Sequence, residues 1–185
     1  MNINFIIRMS LIVCSFLLVQ NDEPVLSWNE SNKLSWSDFK AQSDHKVSAV
    51  AITASGISFG FSVTQTDNNQ VISFDADVSA HFYPEKSWFK PELADNHLLD
   101  HEQLHFDITE LHARKFREQI ANLKNLPTVK QDLRNLNESI NIALAKMQNA
   151  YDDESDYSRN EEVQVKWEAY IHSELRKVAK YKSVD

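Results

Sequence analysis

Apolar and polar positions change period once along the chain, and the change divides it in two. Between Ile57 and Thr66, the residues Ile57, Phe59, Phe61 and Val63 alternate with small or polar residues; between Gln70 and Phe82, Ile72, Phe74, Ala76, Val78, Ala80 and Phe82 do the same. A period of two sends every second side chain to one face of a strand. Asp67-Asn68-Asn69 between the runs is turn chemistry, so an antiparallel hairpin with one buried face is expected. Shorter stretches rich in strand formers come first: Val25 to Trp28, Leu34 to Phe39 and Ala49 to Ser55, with a polar turn at Asn29 to Lys33 and a loop at Ala41 to Val47. Tyr83 to Trp88 closes the sheet. On this phase His81 lies at the surface or rim, opposite Phe82, and His45 is solvated.

After Pro91 the period becomes helical. Asp95 or Asn96 caps a first helix that can run to about Leu126, where Pro127 stops it. On its wheel Asp100, Gln103, Asp107, Glu110, Arg114, Arg117 and Glu118 fall on one side, and Leu98, His101, Leu104, His105, Ile108, Leu111 and Phe116 fall opposite. Thr128 opens a second helix whose stripe is Val129, Leu133, Leu136, Ile140, Ala143 or Leu144, and Met147. Tyr151 to Asn160 reads as an acidic solvated linker without the glycine of a calcium loop. Ser158 and Glu161, at capping-box spacing, open a third helix carrying Val163, Trp167, Tyr170, Ile171, Leu175 and Val178 on one face, with His172 pointing elsewhere. The expected class is α+β. A small antiparallel sheet precedes one helix that carries chemistry and two that pack, with residues 21–90 mainly β and 95–185 mainly α in a single domain.

The chemistry sits in His101-Glu102-Gln103-Leu104-His105, an HExxH pattern. At about 100° and 1.5 Å per residue, the two imidazoles lie about 40° apart and one turn up, able to reach one metal ion, with Glu102 beside them. Zinc accepts neutral imidazole nitrogen, and a catalytic site keeps one position open for water that a carboxylate can deprotonate. Paired histidines can also serve merely as hydrogen-bonded core residues, but the glutamate at the base position favours a metal centre. His97, one turn earlier on the same straight helix, would crowd the ion. His112 lies about 10.5 Å along the axis from His105 with no glycine between to break the helix, and is read as buried or cleft-lining. Asp107 is expected at the surface, paired with Arg114, rather than behind a histidine.

Composition narrows the function classes. The chain has 185 residues, 42% of them hydrophobic, enough for one domain with a core. A formal net charge of −8 without a basic stripe argues against nucleic acid as partner. Two glycines, Gly56 and Gly60, cannot build a phosphate-binding loop. Arg8 followed by the short apolar run Met9 to Val19 fits an export signal over residues 1–20, or an uncleaved membrane anchor because no small-x-small cleavage site follows. The sole cysteine, Cys14, lies in that run, so the exported part has neither disulfide nor thiol nucleophile. The expected location is periplasmic or secreted, with membrane contact only through that segment.

Leu34-Ser35-Trp36-Ser37-Asp38-Phe39, then Lys86-Ser87-Trp88, then the run from Leu98 to Leu111 with Ala113-Arg114, and finally Tyr151-Asp152, Glu154-Ser155, Gln164 and Trp167 resemble the nine-twenty-two domain-of-unknown-function family, described as secreted bacterial zinc-dependent proteases. The resemblance implies a zincin-like domain with Zn2+ held by His101 and His105, Glu102 as general base, and a peptide or protein substrate. In that family a histidine often stands two residues after the serine or threonine of the last block; here the position is Tyr157. The third ligand or transition-state stabiliser is then Tyr157, or a carboxylate from Glu154, Asp156 or Glu161, or metal binding is weakened and the domain is a zinc-binding module for peptide or cell-envelope material. An exposed sheet edge is the expected place for an extended peptide.

Overall fold

The computed structural model describes residues 23–68, 70–124 and 126–183; the expected export signal or anchor lies outside them. The architecture is α+β. Strands β3 (Ser55–Gln65) and β4 (Val71–Phe82) form the expected antiparallel hairpin, with Ile57 opposite Ala80, Phe59 opposite Val78 and Phe61 opposite Ala76, so the apolar phases of both strands share a face. The short β1 (Leu26–Ser27) adds to the far side of β4, giving the order β1-β4-β3 and leaving β3 as an edge. A separate two-residue pair joins β2 (Ala51–Ile52) to β5 (Trp88–Phe89). Helices α1 (Asn96–Ala121), α2 (Val129–Glu154) and α3 (Glu161–Lys177) follow. No helix of the described residues is long and apolar enough to cross a membrane.

Helix α1 is the axis of the molecule. The sheet and the amino-terminal segment cover one side, where Trp28, Leu34, Phe39, Phe82, Phe106 and Phe116 share a core. Helices α2 and α3 cover another, where Leu104, Ile108, Leu111, Leu144, Tyr151 and Ile171 share a second. Phe106 through Arg114 are buried without a break, two and a half turns enclosed on every side. That corrects the solvent-facing side read from the wheel: Asp107, Glu110 and Arg114 are all 4% exposed or less. Buried charges must be paired, and these are. Asp107 accepts from Trp28 Nε1 at 2.6 Å and Gln103 Nε2 at 2.8 Å and faces Lys33 Nζ at 3.3 Å, while Arg114 Nε donates to Glu110 at 2.8 Å. Arg114 thus pairs with Glu110, and not with Asp107 as the wheel suggested.

Leu34 to Phe39, expected as a strand, is a 3-10 turn at Trp36–Asp38. Asp38 Oδ2 accepts from both the Ser35 amide at 2.7 Å and the Ser35 hydroxyl at 2.8 Å, so local side-chain bonds outcompete a ladder there. The turn is docked on α1 by Leu34 N–H donating to Gln103 Oε1 at 2.8 Å, and its rings stack into the core, Trp36 on Phe89 and Phe39 edge-on to Phe82. Helix α1 ends at Ala121, five residues before the expected limit. Asn122 and Leu123 amides turn back to the Gln119 and Ile120 carbonyls, and Leu123 then packs beside Val129 and Leu133.

Helix α2 runs on to Glu154, so the reading of Tyr151 to Asn160 as a solvated linker fails over its first four residues. Tyr151 extends the stripe of Leu144 and Met147 and is fully buried; its packing outweighs the acidic residues that follow. Asp156, Tyr157 and Ser158 then take φ values of 50°, 52° and 71°. Three successive non-glycine residues in the left-handed region cost on the order of 1–2 kcal/mol each, and the turn is held against that cost by several bonds. Tyr157 N–H donates to Asp152 O at 2.9 Å, Asn160 N–H to Ser155 O at 2.8 Å, and His97 Nε2 to Ser158 O at 2.7 Å. Asn160 caps α3, accepting from Val163 N at 3.3 Å, in place of the Ser158–Glu161 capping box.

Candidate metal centre

His101 and His105 leave α1 one turn apart, as their spacing requires, with ring centroids 4.8 Å from each other. Their Nε2 atoms converge to 3.2 Å. The last turn of α2 brings a third atom to the same point: Asp152 Oδ1 lies 2.8 Å from His105 Nε2 and 3.2 Å from His101 Nε2. Among the described residues, these three side chains form the one histidine, cysteine or carboxylate group able to offer three ligand atoms together.

The triangle fits a metal ion better than it fits hydrogen bonds. Two ring N–H groups donated to Asp152 would leave two hydrogens facing each other across the 3.2 Å His101–His105 contact, and one donated would leave a second contact without a proton. A cation beside the triangle satisfies all three atoms at once. Edges of 2.8–3.2 Å are also close to the edge of about 3.3 Å of a tetrahedron with bonds of about 2.0–2.1 Å, the zinc–nitrogen and zinc–oxygen range.

Around the triangle, Gln148 of α2 fixes one imidazole. Its Nε2 donates to the His105 carbonyl at 2.9 Å and to Thr109 Oγ1 at 3.3 Å, which turns its Oε1 toward His105 Nδ1. Nδ1 therefore carries hydrogen, which in the neutral ring leaves Nε2 with its lone pair for a ligand, the arrangement expected of a metal-binding imidazole. Thr109 Oγ1 is bound in turn by Ser55 Oγ at 2.7 Å, tying the start of β3 to the same turn. Tyr151 forms the floor, its ring stacked on His101 at 4.5 Å and edge-on to His105 at 5.0 Å. Its hydroxyl and His101 Nδ1 are both buried without a partner among the described residues.

Electrostatics follow the geometry. Burial would raise the Asp152 carboxyl, but hydrogen bonds from His101 and His105, with their charge, outweigh it and hold the group far below the usual carboxylate range. Burial would likewise lower His105; the Asp152 bond and the charges of Glu102 and Asp152 reverse this, so its pKa stands above the ordinary histidine value. Burial, together with the charges of Glu168, Glu102, Asp152 and Asp100, pushes the Tyr151 hydroxyl far up, so that ring stays neutral.

Glu102 is 4% exposed beside the two histidines, and its backbone carbonyl accepts from Thr53 Oγ1 at 3.3 Å, placing the end of β2 along this turn of the helix. The way in is narrow. The His101 side chain is 4% exposed and that of His105 12%, while Asp152 is open at 29%, so solvent reaches the triangle from the α2 side. Two cavities lie on the opposite side of α1, one beside Glu110 and Arg117 and one beside Asp107 and Arg114.

Sequence reasoning missed Asp152 and Gln148. The four residues nominated in their stead are elsewhere: Tyr157 is 59% exposed, Glu154 accepts from Trp167 Nε1 at 2.9 Å, Asp156 is paired with Arg159 at 2.5 Å, and Glu161 is exposed at the start of α3. The available signal was the α2 stripe. Gln148 and Asp152 stand four apart, one turn from Leu144, so a helix carried past Met147 would have put both on the face that meets α1. His97 Nε2 is taken up by Ser158 O at 2.7 Å, and His112 is buried as expected, donating to Ile108 O at 2.9 Å.

Residues 32–161 match the family model described as "Bacterial protein of unknown function (DUF922)", which is well over half of the sequence. The chain belongs to that family. No curated protein and no solved structure matches it. In this DUF922 chain the matched span takes in the 3-10 turn that docks on Gln103, the histidine turn of α1 and Asp152 at the end of α2, and stops as α3 begins.

Proposed function

We propose that His101, His105 and Asp152 hold one zinc ion and that this DUF922 chain hydrolyses peptide bonds in a peptide or protein substrate. The observation that carries the reading is the triangle of two imidazole nitrogens and one carboxylate oxygen, built from two helices and closed by Gln148 behind His105. Zinc there would supply Lewis acidity and lower the pKa of a water toward neutrality. Glu102, between the two ligands in sequence, takes the proton of the attacking water and passes it to the departing amine. Tyr151 keeps the imidazoles in place and water out from behind them. The segment from β2 into β3, bound to this turn through Thr53 and Ser55, gives an extended substrate a strand to align with. The apolar run Met9 to Val19 supports a location outside the cytoplasm.

A binding module without turnover was suggested by Tyr157 standing where a histidine ligand was expected. With Asp152 supplying the third atom, that reason disappears. The test is a peptide-library digest with the metal-analysed full chain and Glu102→Gln. The wild type carries about one zinc and cleaves; the variant keeps zinc and loses cleavage by about 10²–10⁴-fold. Zinc bound by both proteins with no chelator-sensitive cleavage by either would leave a binding module, and no zinc in either would sink the proposal entirely.

A further inference from the structure

Behind α1, on the side away from the histidines, a cavity of about 370 Å³ opens between the amino-terminal segment and α3. That is within the range of small-molecule sites, about 300–1,000 Å³. Its wall carries Lys33, Arg114, His172, Arg176 and Lys182 around the ring of Trp28. Three of the cations crowd that one indole: Arg114 at 5.0 Å, Lys33 at 5.7 Å and Lys182 at 6.0 Å from the ring centre. In a chain of net charge −8 such a gathering runs against the overall sign.

The carboxylates nearby do not balance it. Asp107 is committed to Trp28, Gln103 and Lys33, and Glu30 to Lys182 at 2.8 Å. Glu110 serves Arg114 and Arg117 from the same oxygen, at 2.8 and 3.3 Å, so one carboxylate answers two guanidinium groups. Arg176 has no ion-pair partner among the described residues, and His172 reaches only the occupied Asp107, at 3.7 Å. Both Glu30 and Asp107 are held below the usual carboxylate range by these cations, Asp107 in spite of its burial. Lys33, Arg114, Arg176 and Lys182 stand in the wall against the carboxylates of Glu30 and Asp107, so the cleft keeps a positive excess, and such an excess concentrates the opposite ion.

We propose that this cavity binds a phosphate-bearing ligand, with the phosphate between Arg176, Lys182 and Lys33 and an apolar part against Leu175 and the rim of Trp28. Cations converging from two sides suit a tetrahedral group with several oxygens; a lone carboxylate would be met by one guanidinium fork. The space exceeds what a bare oxyanion fills, so an organic portion is part of the ligand. The site is independent of the metal centre, across the enclosed helix from it.

The test uses the full chain, labelled with ¹⁵N, and follows the Trp28 indole N–H signal during addition of phenyl phosphate. A saturable shift is expected, weakened by about tenfold or more, or about 1.4 kcal/mol, in the double variant Arg176→Gln/Lys182→Met, with zinc content unchanged. Vesicles containing phosphatidic acid form the second arm: binding there that the double variant loses assigns the site to a lipid headgroup, and binding of phenyl phosphate alone assigns it to a soluble phosphorylated compound. Failure of both arms overturns the proposal. So does equal binding by the double variant, or an equal response to benzyl alcohol, which lacks the charge. Zinc content and cleavage report separately on the metal centre, so that either reading can fall without the other.

Discussion

Removing the Asp152 carboxylate should take away most of the stability that zinc confers. Asp152 Oδ1 is one of three atoms in a triangle with edges of 2.8, 3.2 and 3.2 Å, so Asp152→Ala reduces the donor set from three to two. A ligand that binds only the folded state at a thousand times its Kd stabilises it by about 4.1 kcal/mol. For a domain of this size each kcal/mol moves Tm by about 2–4 °C, so saturating zinc should raise the wild-type Tm by about 8–16 °C. Loss of a partner that merely orients a ligand costs about 10–100-fold in metal affinity, and loss of a ligand costs at least the upper figure. At the same zinc concentration the variant then sits at no more than ten times its Kd, worth about 1.4 kcal/mol, and the shift falls to about 3–6 °C or less. Calorimetry of each protein with and without zinc reads the difference, so any effect of Asp152→Ala on the zinc-free fold cancels. Tyr157→Phe and Glu154→Gln should keep the full shift. A full shift in Asp152→Ala, with loss in either control, would show that the third ligand had been misassigned.

Four further outcomes are expected. Gln148→Ala frees His105 Nδ1 and should weaken zinc binding by about 10–100-fold in competition with a chelating dye, whereas unchanged affinity would mean that the amide does not orient the ring. Zinc affinity should rise by about tenfold per pH unit up to the raised pKa of His105 and level off above it, because the ion competes with a proton there; a flat profile from about pH 5 to 8 would remove His105 from the ligand set. In the zinc-free chain, the lowered Asp152 contributes stability above about pH 3.9 that is lost as pH falls through its folded value, and the raised His105 contributes below about pH 6.5, lost as pH rises through its own. Their pair therefore stabilises chiefly between those limits. Finally, Leu111→Ala, in a fully buried position between α1, α2 and α3, should cost about 2–5 kcal/mol by urea denaturation, and a cost under about 1 kcal/mol would contradict the packing described.

What the sequence made legible was whatever depends on one element at a time. The hairpin follows from alternation, the helical half from a period near 3.6, and the pairing of His101 with His105 from one turn of rise. The misreadings arose where a second element decides the matter. Asp107, Glu110 and Arg114 look like a solvated face because charge is normally solvated. They are enclosed because Trp28, Gln103 and Lys33 bind one of them and the other two pair with each other. Ser35 to Phe39 has the composition of a strand, yet Asp38 bonds back to Ser35 and makes it a turn.

Asp152 shows the same limit at the centre. Tyr151-Asp152-Asp153-Glu154 reads as linker if each residue is judged by its polarity, and as the end of a helix once Tyr151 is allowed to pack. That packing is against the histidines themselves, so the residue that makes the helix continue is also the floor of the candidate centre. The left-handed turn at 156–158 belongs to the same construction: its strain is held by a bond from Tyr157 to the Asp152 backbone and by one from His97, a turn ahead of His101 on α1. Asp152 is thus fixed from before by Tyr151, which packs on the histidines, and from behind by the turn bonded to His97, so its position is set by the helix that carries both imidazoles. A centre assembled this way needs its carboxylate on α2 and gains nothing from one on the exposed turn, which is why Asp152, and not Tyr157 or Asp156, completes the triangle.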